Sequence, residues 1–418
     1  MNKIDSVLFC FLLICSILIV PNQSVKSGYG TIIYVDDGNN NGPWDGTIDH
    51  PFQYIQDAIV AASSTDTIMV SDGVYQETVV IDKQVTLLGS GSDSSIIDGL
   101  QQDSTVTILH DDCTVKGFQI INCSLEPIDF THSLLLIHSN DTIIEHNLFV
   151  MNETTDFFSI AALQINQGDN NHISSNKFTC DEFVSEFDIS RNHAIYLNGS
   201  CKNTMFEENQ INGFYTVYTD SIETEDVEFK NNKITENLFG LRMYGSISLI
   251  TKNNISSNRA DAIIVHRGSD HAIIENQIQD NGYNEGSAAG PGIMLYRSSG
   301  GTRIQGNNLI HNAGPGVYDY MSFDNVITEN NFVNNGWNYD WAEKPNAFFY
   351  TDIVDMFQTN NWNGNYWEPS STNSWQPIPS ELRLFAYFDS VCSIPWFAFD
   401  KNPIDEPFDE NNLKNHLQ

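Results

Sequence analysis

Positive charge is what this 418-residue chain has least of: 19 Lys and Arg stand against 54 Asp and Glu, a formal net charge of −35. A surface that anionic repels nucleic acid and acidic lipid, so neither is expected as a partner. It also repels bare polyanions unless a divalent cation lies between. Long apolar runs are equally scarce. One occurs, Val7 to Val20, ended by Pro21 and followed by the small and polar residues Asn22 to Ser27. It falls short of the roughly 20 residues that cross a bilayer. Behind Lys3 it reads as the core of a signal peptide over residues 1–27, with an uncleaved N-terminal anchor as the other reading. No later stretch is long enough to span. The expectation is a secreted or cell-surface protein with no membrane span in its mature part.

Cysteine is sparse as well. Cys10 and Cys15 lie in the leader, leaving Cys113, Cys123, Cys180, Cys201 and Cys392. That count is odd, matches no zinc spacing and allows at most two disulfides. His, Met and Cys do not cluster at ligand spacing, so no metal site is expected. No cofactor is evident, and calcium stays open because the chain is so acidic. Sequons at Asn122, Asn140, Asn152, Asn198 and Asn254 suit a turn-rich exported protein.

What the chain has is a repeat. Asn followed two residues later by a large apolar residue recurs from Asn147-Leu-Phe149 through Asn176, Asn209, Asn232, Asn253, Asn276, Asn307 and Asn330 to Asn360-Asn-Trp362. Successive spacings are 29, 33, 23, 21, 23, 31, 23 and 30. A base period of 22–23 residues with insertions predicts an all-β solenoid, a right-handed parallel β-helix. One coil of three short strands cannot bury its apolar side, whereas stacked coils can. Asn suits the recurrent turn because it tolerates left-handed backbone and can bond its counterpart in the next coil.

Aligned on that turn, a second strand column appears, from Ala194–Asn198 and Thr216–Asp220 to Gly292–Tyr296 and Gly316–Tyr320. Alternation places Ile195, Leu197, Val217, Leu241, Met243, Ile263, Val265, Ile293 and Leu295 inside. Asp319 also falls inward, at odds with an apolar core. The outward residues form ladders. Tyr196, Tyr218, Arg242, Met294 and Tyr318 make one row; Asn198, Asp220, Tyr244, His266, Tyr296 and Tyr320 make the next, with Arg267 and Arg297 at strand ends. Tyrosines beside Asp, Arg and His suit sugar rings, although Tyr is also a favoured strand residue. A glycan on Asn198 would cover its coil. Extra length gathers at one corner, in residues 122–132, 150–158, 179–191, 280–291 and 334–346, and these acidic loops should edge the ladder.

The ends differ from the middle. Residues 28–85 combine a first strand and first coil with an amphipathic helix, Pro51 to Ala62, having Asp49 near its start and lying over the open end of the stack. Residues 86–333 hold the repeats, and 334–418 form a last coil and an aromatic closing segment. Ile33-Tyr-Val-Asp36, Gly46-Thr47, Pro51-Phe52, Ile55-Gln-Asp-Ala-Ile59 and Gly73-Val-Tyr75 resemble the first coils of pectin-lyase-like β-helix proteins, most of all exported NosD-type and archaeal surface proteins. Gly364-Asn-Tyr-Trp367 and Ile394-Pro-Trp-Phe-Ala-Phe-Asp400 are similar to their closing segment.

The resemblance implies an architecture more than an activity. The Arg-x-Pro setting of pectate lyases and the paired aspartates with Gly-His-Gly of polygalacturonases are absent as sets, so no catalytic residue carries over. The expected function is therefore a non-catalytic, glycan-binding or structural surface protein whose partner is an extracellular polysaccharide. Its candidate face is Tyr196, Tyr218, Asp220, Arg242, Tyr244, His266, Arg267, Tyr296, Arg297 and Tyr318. The alternative is a polysaccharide lyase or glycoside hydrolase using Asp220 or loop acids with His266 or Arg242. A third, purely architectural reading predicts ordered self-association and no soluble ligand.

Overall fold

A computed structural model of the chain describes residues 30–125, 132–151, 160–180, 192–219, 223–283, 290–297, 300–338, 345–352, 360–368, 376–387 and 390–408. The expected signal segment lies outside them. The chain winds into a right-handed parallel β-helix of three sheets. The first has 13 strands, from Ile32–Val35 to Asn361–Asn363, and the second has 12, from Gly73–Gln76 to Tyr366–Glu368. The third has 13, beginning at Val79–Ile81. It ends in an antiparallel hairpin, Gln376–Tyr387 with Ser390–Asp400, whose first strand lies parallel to Ala347–Asp352.

The short strands follow from their composition. Most strands of the first two sheets have three residues with an apolar one at the centre, such as Ile144, Phe206 and Ile273, or Ile211, Ile234 and Leu309, and all six are buried. A three-residue strand exposes its two ends and sinks its middle, so one large side chain per strand builds the core. Like rings then meet in successive coils: Phe149 stacks on Phe178 at 4.6 Å, and Phe332 on Trp367 at 4.3 Å. In the third sheet, the nine residues expected inside are all buried.

Asn builds the turn between the first and second sheets, though not through left-handed backbone. The left-handed residue is the one before it: His146, Ser175, Glu208, Asn231, Lys252, Glu275 and Glu329, with φ between 54° and 60°. The Asn contributes hydrogen bonds instead. Asn232 Nδ2 donates to the Phe206 carbonyl at 2.8 Å, while its Oδ1 accepts the Asn209 backbone N–H at 2.9 Å. Such bonds tie Asn147, Asn176, Asn209, Asn232, Asn253, Asn276, Asn307 and Asn330 into one buried column, which ends at Asn365. The phase of the last unit is thus corrected. Asn360 precedes a first-sheet strand and bonds Asn325, and Trp362 pairs with Ile327.

Asp319 does point inward. Its strand stays in register, Leu295 to Asp319 to Phe349, and the residue is 1% exposed. The carboxylate accepts the Ser322 N–H at 2.9 Å and the Asn360 side-chain amide at 2.6 Å. Burial nonetheless pushes its pKa up to about 8, against those two bonds and a third from Asn325.

The N-terminal helix covers only Ile55–Ala61. The expected start is not helical because Phe52 is held in a bridge to Val35. Glu77, rather than Asp49, takes up the free helix donors, accepting the N–H groups of Ile55 at 2.8 Å and Gln56 at 2.9 Å. Cys113, Cys123, Cys180 and Cys201 are buried; the Cys113 and Cys201 thiols donate to the Lys83 and Ile165 carbonyls, and burial pushes the Cys123 thiol up to about 12. Among the described residues no helix is long and apolar enough to cross a membrane.

Candidate functional site

Register sets the site. The third sheet pairs Tyr244 with His266, His266 with Tyr296, Tyr296 with Tyr320 and Tyr320 with Tyr350, so one ring stands in register in each of five successive coils, the last of them buried. Tyr244 and His266 stack with centroids 4.6 Å apart and planes within 2°. Tyr296 stacks on Tyr320 at 5.1 Å, and Tyr320 on Tyr350 at 5.0 Å. Between His266 and Tyr296 the planes cross at 63°, the one break in this column. In the neighbouring row Tyr318 stacks on Phe348 at 5.7 Å.

Stacking changes what the ladder offers. Rings lying flat on one another use their apolar faces internally. Tyr244, His266, Tyr296, Tyr318 and Tyr320 are all half-buried, and Tyr350 is buried. The face therefore presents ring edges, with tyrosines one coil apart at Tyr296 and Tyr320, rather than a row of open platforms.

Arg242 lies at one end of the column. Its guanidinium sits 5.3 Å from the centre of the Phe239 ring, and its Nη2 is 3.5 Å from His266 Nε2. Burial holds the His266 pKa down to about 4, with help from the charges of Arg242 and Arg267. Asp261 is recessed one coil beyond Phe239, and desolvation raises its carboxyl to about 7 against the pull of Arg242. Sequence reading missed Asp261 and Phe239. The signal was present, since stacking the coils on Leu241 and Ile263 sets Asp261 directly over Phe239. At neutral pH the Arg242 cation thus stands near a neutral imidazole and a carboxyl that can carry a proton.

The other expected residues are placed as follows. Arg267 and Arg297 are exposed, each in the left-handed turn that ends its strand, with φ of 49° and 48°. Tyr196 is buried at 3% exposure, its ring 5.8 Å from that of His193, so its place on an open face is corrected. The backbone of Tyr218 pairs with that of Arg242. The Tyr218 side chain, Asp220 and every loop acid except Asp280 lie outside the described residues. Asp280 accepts His311 Nδ1–H at 2.8 Å and the Tyr283 hydroxyl at 3.3 Å, and Trp337 stacks on His311 at 5.4 Å. Among the described residues no group of three or more His, Cys, Asp or Glu is placed to hold a metal ion.

Residues 194–363 match the family model described as right handed beta helix region. Two solved structures share the fold. The A-module of mannuronan C-5 epimerase AlgE6 from Azotobacter vinelandii is 13% identical with a TM-score of 0.51, the match covering 75% of this chain and 88% of that one. XylC, solved in complex with xylose, is 12% identical with a TM-score of 0.52, covering 73% and 76%. No curated protein matches the chain. The three stacked sheets and their buried Asn column define a parallel β-helix repeat protein. The likeness to these structures lies in the fold alone.

Proposed function

We propose that the protein is exported and binds an extracellular carbohydrate along the outer face of its third sheet. The observation that carries this reading is the column Tyr244–His266–Tyr296–Tyr320, which lines up half-buried polar rings on one face and ends against the buried Tyr350. Polar rings one coil apart match the hydroxyl edges of a sugar chain, and rings already locked by stacking lose little entropy on binding. The test is a broad glycan array probed with the mature protein, with and without calcium. Specific hits are the expected result. A blank array under both conditions overturns the reading and favours an architectural protein.

A second reading, a polysaccharide-active enzyme, is favoured by the group Arg242, Asp261 and His266. Asp261, its carboxyl raised to about 7, and His266, its imidazole lowered to about 4, each lie within the influence of the Arg242 charge, and a carboxyl so raised can carry a proton at neutral pH. Steady release of new chain ends from an array hit, abolished in Asp261→Asn, would establish it. Intact glycan after long incubation with the wild type excludes it.

A further inference from the structure

We infer that Arg267 and Arg297 form a subsite for an anionic substituent on the bound glycan, a carboxylate or a sulfate ester. The inference rests on the carbohydrate reading and goes on to name the class of sugar.

Charge is the first argument. Arg242, Arg267 and Arg297 are three of only seven arginines, and all three stand on one face of a chain with net charge −35. Four lysines are held by acids among the described residues, as in Lys116 with Glu145 at 2.8 Å, Lys202 with Glu225 at 3.0 Å and Lys230 with Glu207 at 2.6 Å. Arg267 and Arg297 make no ion pair among the described residues, and both are exposed. Their charge is therefore open to an anionic ligand on this face.

Position is the second argument. Arg267 and Arg297 occupy the same turn in successive coils, since the Arg267 N–H donates to the Tyr296 carbonyl and the Arg297 N–H to the Tyr320 carbonyl. Their backbones are therefore about 4.8 Å apart, close enough for like charges to repel unless an anion sits between them. Other coils fill this left-handed turn with Gln167, Gly199, Gly245 and Met321, so the two adjacent arginines are a choice of side chain and not of backbone.

Chemistry is the third. The pair flanks the break in the ring column at His266 and Tyr296, and the Arg297 guanidinium lies 5.6 Å from the centre of the Tyr296 ring. Two guanidinium forks carried on neighbouring turns beside these rings suit a planar carboxylate or a sulfate oxygen triad through charge-assisted bonds.

The experiment compares wild type with the double variant Arg267→Gln/Arg297→Gln on matched neutral, uronate-containing and sulfated oligosaccharides. Carboxyl-reduced and desulfated versions serve as partners. The inference expects anionic sugars to bind at least tenfold tighter than their neutral partners, with that preference lost in the double variant. Preference for the uronate or for the sulfated series names the group. Equal binding of neutral and anionic partners, unchanged in the variant, overturns the inference and leaves the carbohydrate reading standing. No binding in any series overturns both.

Discussion

Asp400 closes the Asn column by accepting two hydrogen bonds from Asn365, one from its backbone N–H at 3.0 Å and one from its side-chain amide at 2.9 Å. The same carboxylate accepts the Gly364 N–H and the Trp367 indole N–H, each at 3.1 Å. A column of amides, each passing its donors to the next coil, must end on a group that only accepts. A fully buried aspartate in the closing hairpin meets that need.

Asp400→Ala should therefore leave several buried donors without an acceptor and cost about 3 kcal/mol or more. Urea unfolding measures the loss. Limited proteolysis should show it starting at the C-terminal coils, because solenoid coils contact only their neighbours. Unchanged stability would remove the carboxylate from its capping role.

Inside the column, Asn232→Ala removes the acceptor of the Asn209 N–H and the donor to the Phe206 carbonyl. The expected cost is about 2–3 kcal/mol, again read by urea. Asn231→Gly, one residue earlier at φ 54°, should be neutral or slightly stabilising, because that residue holds the left-handed backbone. The pair of variants separates the two roles that the turn shares out.

Asp319 gives a pH dependence with a definite sign. Its pKa is raised to about 8 in the fold and lies near 4 in the unfolded chain. The unfolded state thus loses its proton first, so the stability tied to the protonated group is full below about pH 4 and drains away as pH rises through about 8. Asp319→Asn, which cannot ionise, should gain on the wild type over that window, by more than about 1 kcal/mol between pH 4.5 and 8. Parallel stability curves for the two proteins would contradict the account.

Architecture was legible because it is written in periods. Alternation put Leu241, Met243, Ile263 and Val265 inside, and the 22–23-residue spacing gave the coil. The last coil was misphased because insertions carry Asn330 to Asn365, a step of 35 residues, and place Asn360 where the spacing calls for a ladder residue. The assignment of left-handed backbone to the ladder Asn failed because a two-residue turn divides its tasks, and only φ tells which residue bends. Asp319 looked wrong for the core because its donors, Ser322 and Asn360, come from a turn and a later coil.

The site was legible as a list of residues and not as a surface. Spacing places Tyr296 and Tyr320 one coil apart but carries nothing about whether the rings lie flat on each other or stand open. Side-chain torsions decide that, and stacking turned platforms into edges. Asp261 escaped notice for a similar reason. It approaches Arg242 across coils, and no motif marks such a meeting.

The most direct test of the central claim removes hydroxyls and keeps rings. Affinity for an array hit would be measured by calorimetry for wild type, for Tyr296→Phe/Tyr320→Phe, and for Thr328→Val on the first sheet as a control. The account predicts at least tenfold weaker binding in the tyrosine variant and no change in the control, with both folds equally stable. Equal affinity in all three would contradict it, and the ring column would then be a packing feature of the β-helix surface.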